Sequence, residues 1–296
     1  MSSAKSPVNI AILVSWRFEC INVLLDILKS NFKEKYITHV FCNLNKEEYE
    51  IYEGELDHSN IDFLHLIHDE QCRSGVHSYG GFKQESKRRQ PLDAFINTMS
   101  IMSRKEIPFI YTEGDLFPID EKSYLSNFKK LNKDKNEALA RQIPVFNSKM
   151  PYGYGCPSPV YVTSEAAKTI AHTFHDHRNA YLGGGSISFE GMLGHAFKYA
   201  SESSDCSIVS FSEFHTGNKT YDHNMCPETM STHQHNVFNL ANSFKRHNIF
   251  EGKWIKRVLD DSEMKMAWPD QCDIPDNVMI KDSEFEIKMM KKWDEQ

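Results

Sequence analysis

Two carboxylates one residue apart, Glu113 and Asp115, stand where an apolar run ends, in the segment FIYTEGDLFPID at residues 109–120. In extended backbone, residues i and i+2 leave the chain on the same side. Carboxylates so placed can meet one hard divalent cation, and Gly114 between them lets the backbone come close to a ligand. Mg²⁺ and Mn²⁺ take oxygen donors and commonly bridge one or two carboxylates to the phosphates of a substrate. The pattern therefore offers charge neutralisation at a phosphate. An exposed acidic turn between strand and helix uses the same residues, so the surrounding elements must decide between the two.

Histidines offer further ligands. His233 and His235 (STHQHN) face one way if the segment is a strand, and can then reach a metal; a surface pair is the commoner outcome. His172, His175 and His177 (HTFHDH) read as the C-terminus of a helix, where imidazoles complement the dipole. Gly183 to Gly185 are no phosphate-binding loop, because no GK[ST] follows them. The one dense basic run, Lys83 to Arg89, reads as a solvated loop or first helical turn.

The elements that must position these groups are legible in the first half of the chain. VNIAILV at residues 8–14 is a continuous apolar, β-branched run, as in a strand buried on both faces of a parallel sheet. Ile21, Leu24, Leu25 and Leu28 recur at helical spacing, and strands follow at 37–42 and 61–67, ending at Asn43 and at His68-Asp69. Leu92, Phe95, Ile96, Met99 and Met102 predict a helix over about 90–104, and PFIY at 108–111 is a fourth strand that runs straight into the acidic motif. This βαβ order implies a mostly parallel, right-handed α/β sheet whose ligands gather at the carboxyl ends of the strands. Later, residues 151–163 form a Pro/Gly loop running into a strand. Ser164 caps a helix reaching about His172, and a second helix runs from about Phe189 to Tyr199. A strand at 207–211, a helix over about 239–259 and a polar, loosely packed tail from Trp268 complete the expectation.

Composition narrows the class. At 296 residues with 40% apolar and 25% charged residues, the chain can support its core without structural metal, so a bound metal would serve chemistry. A net charge of −7 argues against nucleic acid as the main partner. Seven cysteines with no CxxC pair are expected to stay reduced, Cys20 and Cys42 as core residues. The N-terminal apolar stretch is too short for a signal peptide or a membrane span, and no later segment is apolar enough, so a cytoplasmic protein without a transmembrane segment is expected.

EGDLFP after a fourth strand resembles the DxD motif of the GT-A glycosyltransferases, several families of which write ExD followed by a hydrophobic residue and Pro; this chain has Glu113 where the first Asp would stand. The resemblance implies a GT-A-like single domain, with a nucleotide-sugar-binding half over about 8–120, an irregular acceptor-binding half over about 121–260 and a tail over 261–296. It implies Mn²⁺ or Mg²⁺ held by Glu113 and Asp115, with Gly114 against the donor. FHTGNKT at 214–220 is similar to the late HxxGxK pattern of some of these families, one residue shorter. By that likeness His215 is a third metal ligand, Gly217 shapes the loop and Lys219 meets the diphosphate, with His233 or His235 as the alternative ligand. Glu190, in SFEGMLGHAF after the glycines, matches an acidic residue that faces the acceptor and, in inverting members, removes its proton. Ser15, Trp16 and Arg17 end the first strand, where the nucleotide base is met, and Asp69 ends the third, in reach of base or ribose. Tyr152, Tyr154 and the loop around Cys156 are placed to stack on an acceptor sugar.

The expected activity is transfer of a hexosyl or pentosyl group from a UDP- or GDP-linked sugar to a hydroxyl of a glycan or glycoconjugate. The rival readings are a metal-dependent nucleotidyltransferase or phosphotransferase, and a non-enzymatic domain that binds a divalent metal and nucleotide.

Overall fold

The computed structural model describes residues 6–14, 18–44, 46, 49–50, 53–67, 91–118, 120–143, 154–182, 189–203, 206–210, 225–226 and 231–233. Its centre is β1 (Val8–Val14), all seven residues of which are buried. Alternate β1 side chains feed two cores: Ile10, Ile12 and Val14 enter one, Ala11 and Leu13 the other. That two-sided burial is why the run is apolar throughout instead of alternating.

Helix α1 (Phe18–Asn31) returns the chain to β2 (Tyr36–Cys42), burying Ile21, Leu24, Leu25 and Leu28 on the first core. Short 3₁₀ turns at Glu53–Glu55 and His58–Asn60 lead to β3 (Phe63–Leu66). Helix α2 (Pro91–Ser103) then packs Phe95, Met99 and Met102 into the second core, and β4 (Phe109–Glu113) lies beside β1.

The middle of the chain holds two strands and a helix the sequence pattern did not announce, before the strand expected within 151–163. β5 (Leu116–Pro118) is followed by α3 (Glu121–Lys130), whose N-terminus is capped by the Asp120 carboxylate accepting from Ser123 N–H at 2.7 Å. β6 (Glu137–Ile143) and β7 (Tyr154–Val162) form an antiparallel pair. After them come α4 (Ser164–Leu182), α5 (Phe189–Ser203) and β8 (Ser207–Ser210). α4 is a turn or more longer than its sequence suggests, because no Gly or Pro interrupts it before Gly183. His172, His175 and His177 thus lie within a helix and not at its end, which corrects the dipole reading of that cluster.

The strands assemble as a seven-stranded sheet in the order β3-β2-β1-β4-β7-β6-β8. Six run in one direction, and β7 alone is reversed, pairing antiparallel with both β4 and β6. α1 and α3 cover one face, and α2, α4 and α5 the other, so the fold is a three-layered, mostly parallel α/β arrangement. A small second sheet, β5-β10-β9, adds β9 (Met225–Cys226) and β10 (Ser231–His233).

Cys20, Cys42 and Cys206 are buried free thiols. Among the described residues no helix is long and apolar enough to cross a membrane. The basic run at 83–89, the triple glycine, the expected helix at 239–259 and the tail lie outside the described residues.

Candidate functional site

Strand order reverses between β1 and β4, since β1 connects outward to β2 and β3 on one side while β4 starts the other half. Open α/β sheets bind their ligands in the crevice at the carboxyl ends of such a pair. The acidic motif lies at that point. Glu113 is the register partner of Leu13, Gly114 N–H donates to the Leu13 carbonyl at 2.8 Å, and Asn43 N–H donates to the Val14 carbonyl at 2.8 Å. The end of β1 is therefore held from both flanks. A Cβ on Gly114 would sit 3.4 Å from the Leu13 oxygen and 3.4 Å from the Val14 Cβ, in van der Waals contact, so the motif lies directly against the end of β1.

A second grip comes from β7. Its ladder with β4 ends at the pair Tyr111 and Val160. Beyond it, Ser158 Oγ accepts from Glu113 N–H at 2.9 Å and lies 3.0 Å from the Thr112 hydroxyl. A side chain thus replaces the backbone acceptor that a continuing ladder would supply, and it does so at the residue carrying the first carboxylate. Asp115 is 8% exposed and Glu113 is half-buried, while Leu116 and Phe117 of β5, just after the Gly114-Asp115 turn, are packed in the first core.

Tyr111 lies under the motif. It is fully buried, with its ring T-shaped on Phe95 at 4.8 Å and 80°. Its hydroxyl has no hydrogen-bond partner among the described residues. Burial pushes the phenol well above its ordinary pKa, and the charges of Glu113 and Asp115 push it further, so both carboxylates lie within Coulombic reach.

No family model and no curated protein matches the chain. Solved structures similar to it include mouse xyloside xylosyltransferase 1 in its apo form, at 10% identity over 69% of this chain and 85% of that one, with a TM-score of 0.43. The glycosyltransferase GlyE of Streptococcus pneumoniae TIGR4 is 12% identical over 91% of this chain and 67% of its own, with a TM-score of 0.49. An active-site mutant of LgtC is 10% identical over 91% of this chain and 98% of its own, with a TM-score of 0.49.

Of the residues singled out in the sequence, Glu113, Gly114 and Asp115 are brought together at the β1–β4 edge. Ser15, Trp16 and Arg17 lie outside the described residues, as do Asp69, His215, Gly217, Lys219, His235 and Tyr152. Val14, from which Ser15 follows, is next to the motif. Glu190 is in the first turn of α5. That helix leads through Cys206 into Ser207, which pairs with Glu137 at the start of β6, so α5 ends at the amino edge of the sheet. Fifteen residues of helix span about 22 Å, which carries its first turn toward the carboxyl edge.

His233 is placed by topology alone. β10 pairs antiparallel with β5 in a register that sets His233 opposite Leu116, the residue after Asp115. Directly opposed residues in such a pair are about 5 Å apart at Cβ, so β10 comes within one residue of the acidic motif. Sequence reasoning did not find Ser158, Tyr111 or this register. Ser158 and Tyr111 carry no motif, and a three-residue strand has too little periodicity to declare its partner.

Among the described residues, no group of three or more His, Cys, Asp or Glu side chains is gathered to hold a metal. Two carboxylates fit a Mg²⁺ or Mn²⁺ that takes its remaining ligands from substrate phosphates and water; they do not make a closed cage.

Proposed function

We propose that this chain is a metal-dependent glycosyltransferase that moves a sugar from a nucleotide diphosphate sugar to an acceptor hydroxyl. The observation that supports it best is the position of Glu113 and Asp115. Glu113 ends β4 at the point where strand order reverses and Asp115 follows in the turn that leads to β5, not in the continued strand the sequence suggested; the motif is gripped by β1 through Gly114 and by β7 through Ser158. A bound Mn²⁺ or Mg²⁺ supplies positive charge to the diphosphate as the glycosidic bond breaks. Glu113 and Asp115 orient that charge. In this reading Ser15, Trp16, Arg17 and Asp69 meet the nucleoside, Gly114 leaves room for the donor, and Lys219 adds charge at the diphosphate. Glu190, at the start of α5, takes the acceptor's proton. The N-terminal half binds the donor and the rest the acceptor, a glycan or glycoconjugate.

His215 is the third ligand suggested by the FHTGNKT segment. The register of β10 favours His233 as a second reading, because it brings that backbone beside Leu116. Calorimetric titration of UDP with Mn²⁺ into H215A and H233A separates them. The variant that loses affinity identifies the ligand.

The function itself is tested by incubating the protein with a panel of UDP- and GDP-sugars and Mn²⁺, with and without EDTA. Release of free nucleoside diphosphate that EDTA abolishes and Mn²⁺ restores is expected. Transfer of a nucleotidyl or phosphoryl group instead would move the protein to the rival class. Full activity in metal-free protein would remove the role of the acidic pair.

A further inference from the structure

Tyr111, 0% exposed, carries a buried hydroxyl that none of the described residues bonds. A buried hydroxyl left unpaired is costly, and phenylalanine would fill the same space against Phe95 without that cost. Position says what the hydroxyl serves. Tyr111 precedes Glu113 by two residues on β4, so the two side chains leave the same side of the strand. Tyr111 is opposed by Ala11 on β1 and Val160 on β7, and neither side chain offers a polar atom.

We propose that Tyr111 is a positioning residue for the acidic motif, its hydroxyl donating to the Glu113 carboxylate when that carboxylate ligates a divalent cation. A carboxylate has lone pairs enough to face an ion with one oxygen and accept a hydrogen bond on the other. Donors behind a ligand fix its orientation, and their removal commonly weakens metal binding tenfold to a hundredfold. The inference rests on the reading of Glu113 and Asp115 as cation ligands.

The test compares wild type, Tyr111→Phe and Asp115→Asn, using Mn²⁺ alone as the probe. Binding is followed by electron paramagnetic resonance of the free ion, and metal-free protein is melted in parallel. Y111F is expected to bind Mn²⁺ about tenfold more weakly, while the metal-free variant melts at the wild-type temperature or above it. Wild-type affinity in Y111F, with D115N impaired, would overturn this inference and leave the acidic site standing. A melting point several degrees lower would also overturn it, whatever the affinity, since the hydroxyl would then serve the fold. A wild-type protein that binds no Mn²⁺, or a D115N variant that binds it normally, would remove the underlying reading and this one with it.

Discussion

Ser158→Ala tests how the acidic motif is held in place. Ser158 Oγ is the acceptor for Glu113 N–H at 2.9 Å and lies 3.0 Å from Thr112 Oγ1. Ser158 is 6% exposed and Thr112 is fully buried, so water does not replace the lost oxygen without rearrangement. Leaving a buried donor unpaired costs about 1–3 kcal/mol, and about 2 kcal/mol is expected here. For 296 residues at about 2.1 cal/mol/K each, that lowers the melting temperature by roughly 3 °C. Thr112→Val is the control. It removes the contacts of the Thr112 hydroxyl with Ser158, Tyr124 and the Glu113 carbonyl but leaves the Glu113 amide bonded to Ser158, so it too should cost about 1–3 kcal/mol without releasing that amide. Thermal and urea unfolding of both variants give the stabilities, and Mn²⁺ titration gives the consequence at the site. S158A should weaken Mn²⁺ binding more than T112V does, because it alone frees the Glu113 amide, while Thr112 donates only a long 3.4 Å bond to the Glu113 carbonyl. Should S158A melt within a degree of wild type, or weaken Mn²⁺ binding no more than T112V does, the side-chain replacement of the ladder bond is not what holds Glu113.

Asp115→Asn should lower glycosyl transfer by about a hundredfold or more, with Glu113→Gln the same or slightly less, since each removes charge beside the developing diphosphate. Circular dichroism should show both folded; near-native turnover in both would reduce the motif to a turn. Stability should also fall on acidification through His39, which is 2% exposed and whose pKa is pushed down to about 4 by burial, with Lys105 adding to the push. The unfolded chain takes up that proton near pH 6.5 and the folded one does not, so the stabilisation is full above pH 6.5. It is lost as pH falls toward 4, by roughly 3 kcal/mol in all. Urea midpoints of wild type and His39→Gln between pH 7 and 4.5 should converge as the pH drops, and parallel curves would refute the assignment.

The sequence alone determined the parts of this protein whose physics is local. An apolar, β-branched run broken only by Asn9 reads as a strand buried on both faces, and 8–14 is that strand; Phe95, Met99 and Met102 at helical spacing face a core. Two carboxylates after a strand marked the candidate site, because residues two apart offer the oxygen donors a hard cation takes. The tertiary structure decided what depends on partners far along the chain. Nothing in residues 154–162 says that β7 runs against its neighbours, since its apolar content suits either direction, and the 19-residue run of α4 depends on where the chain next meets glycine. Ser158 holds Glu113 across 45 residues, Leu13 grips Gly114 across a hundred, and β10 brings His233 beside Leu116. Each is a single hydrogen bond or register choice. Such choices leave no period in the sequence, because they are made by the sheet that assembles around them.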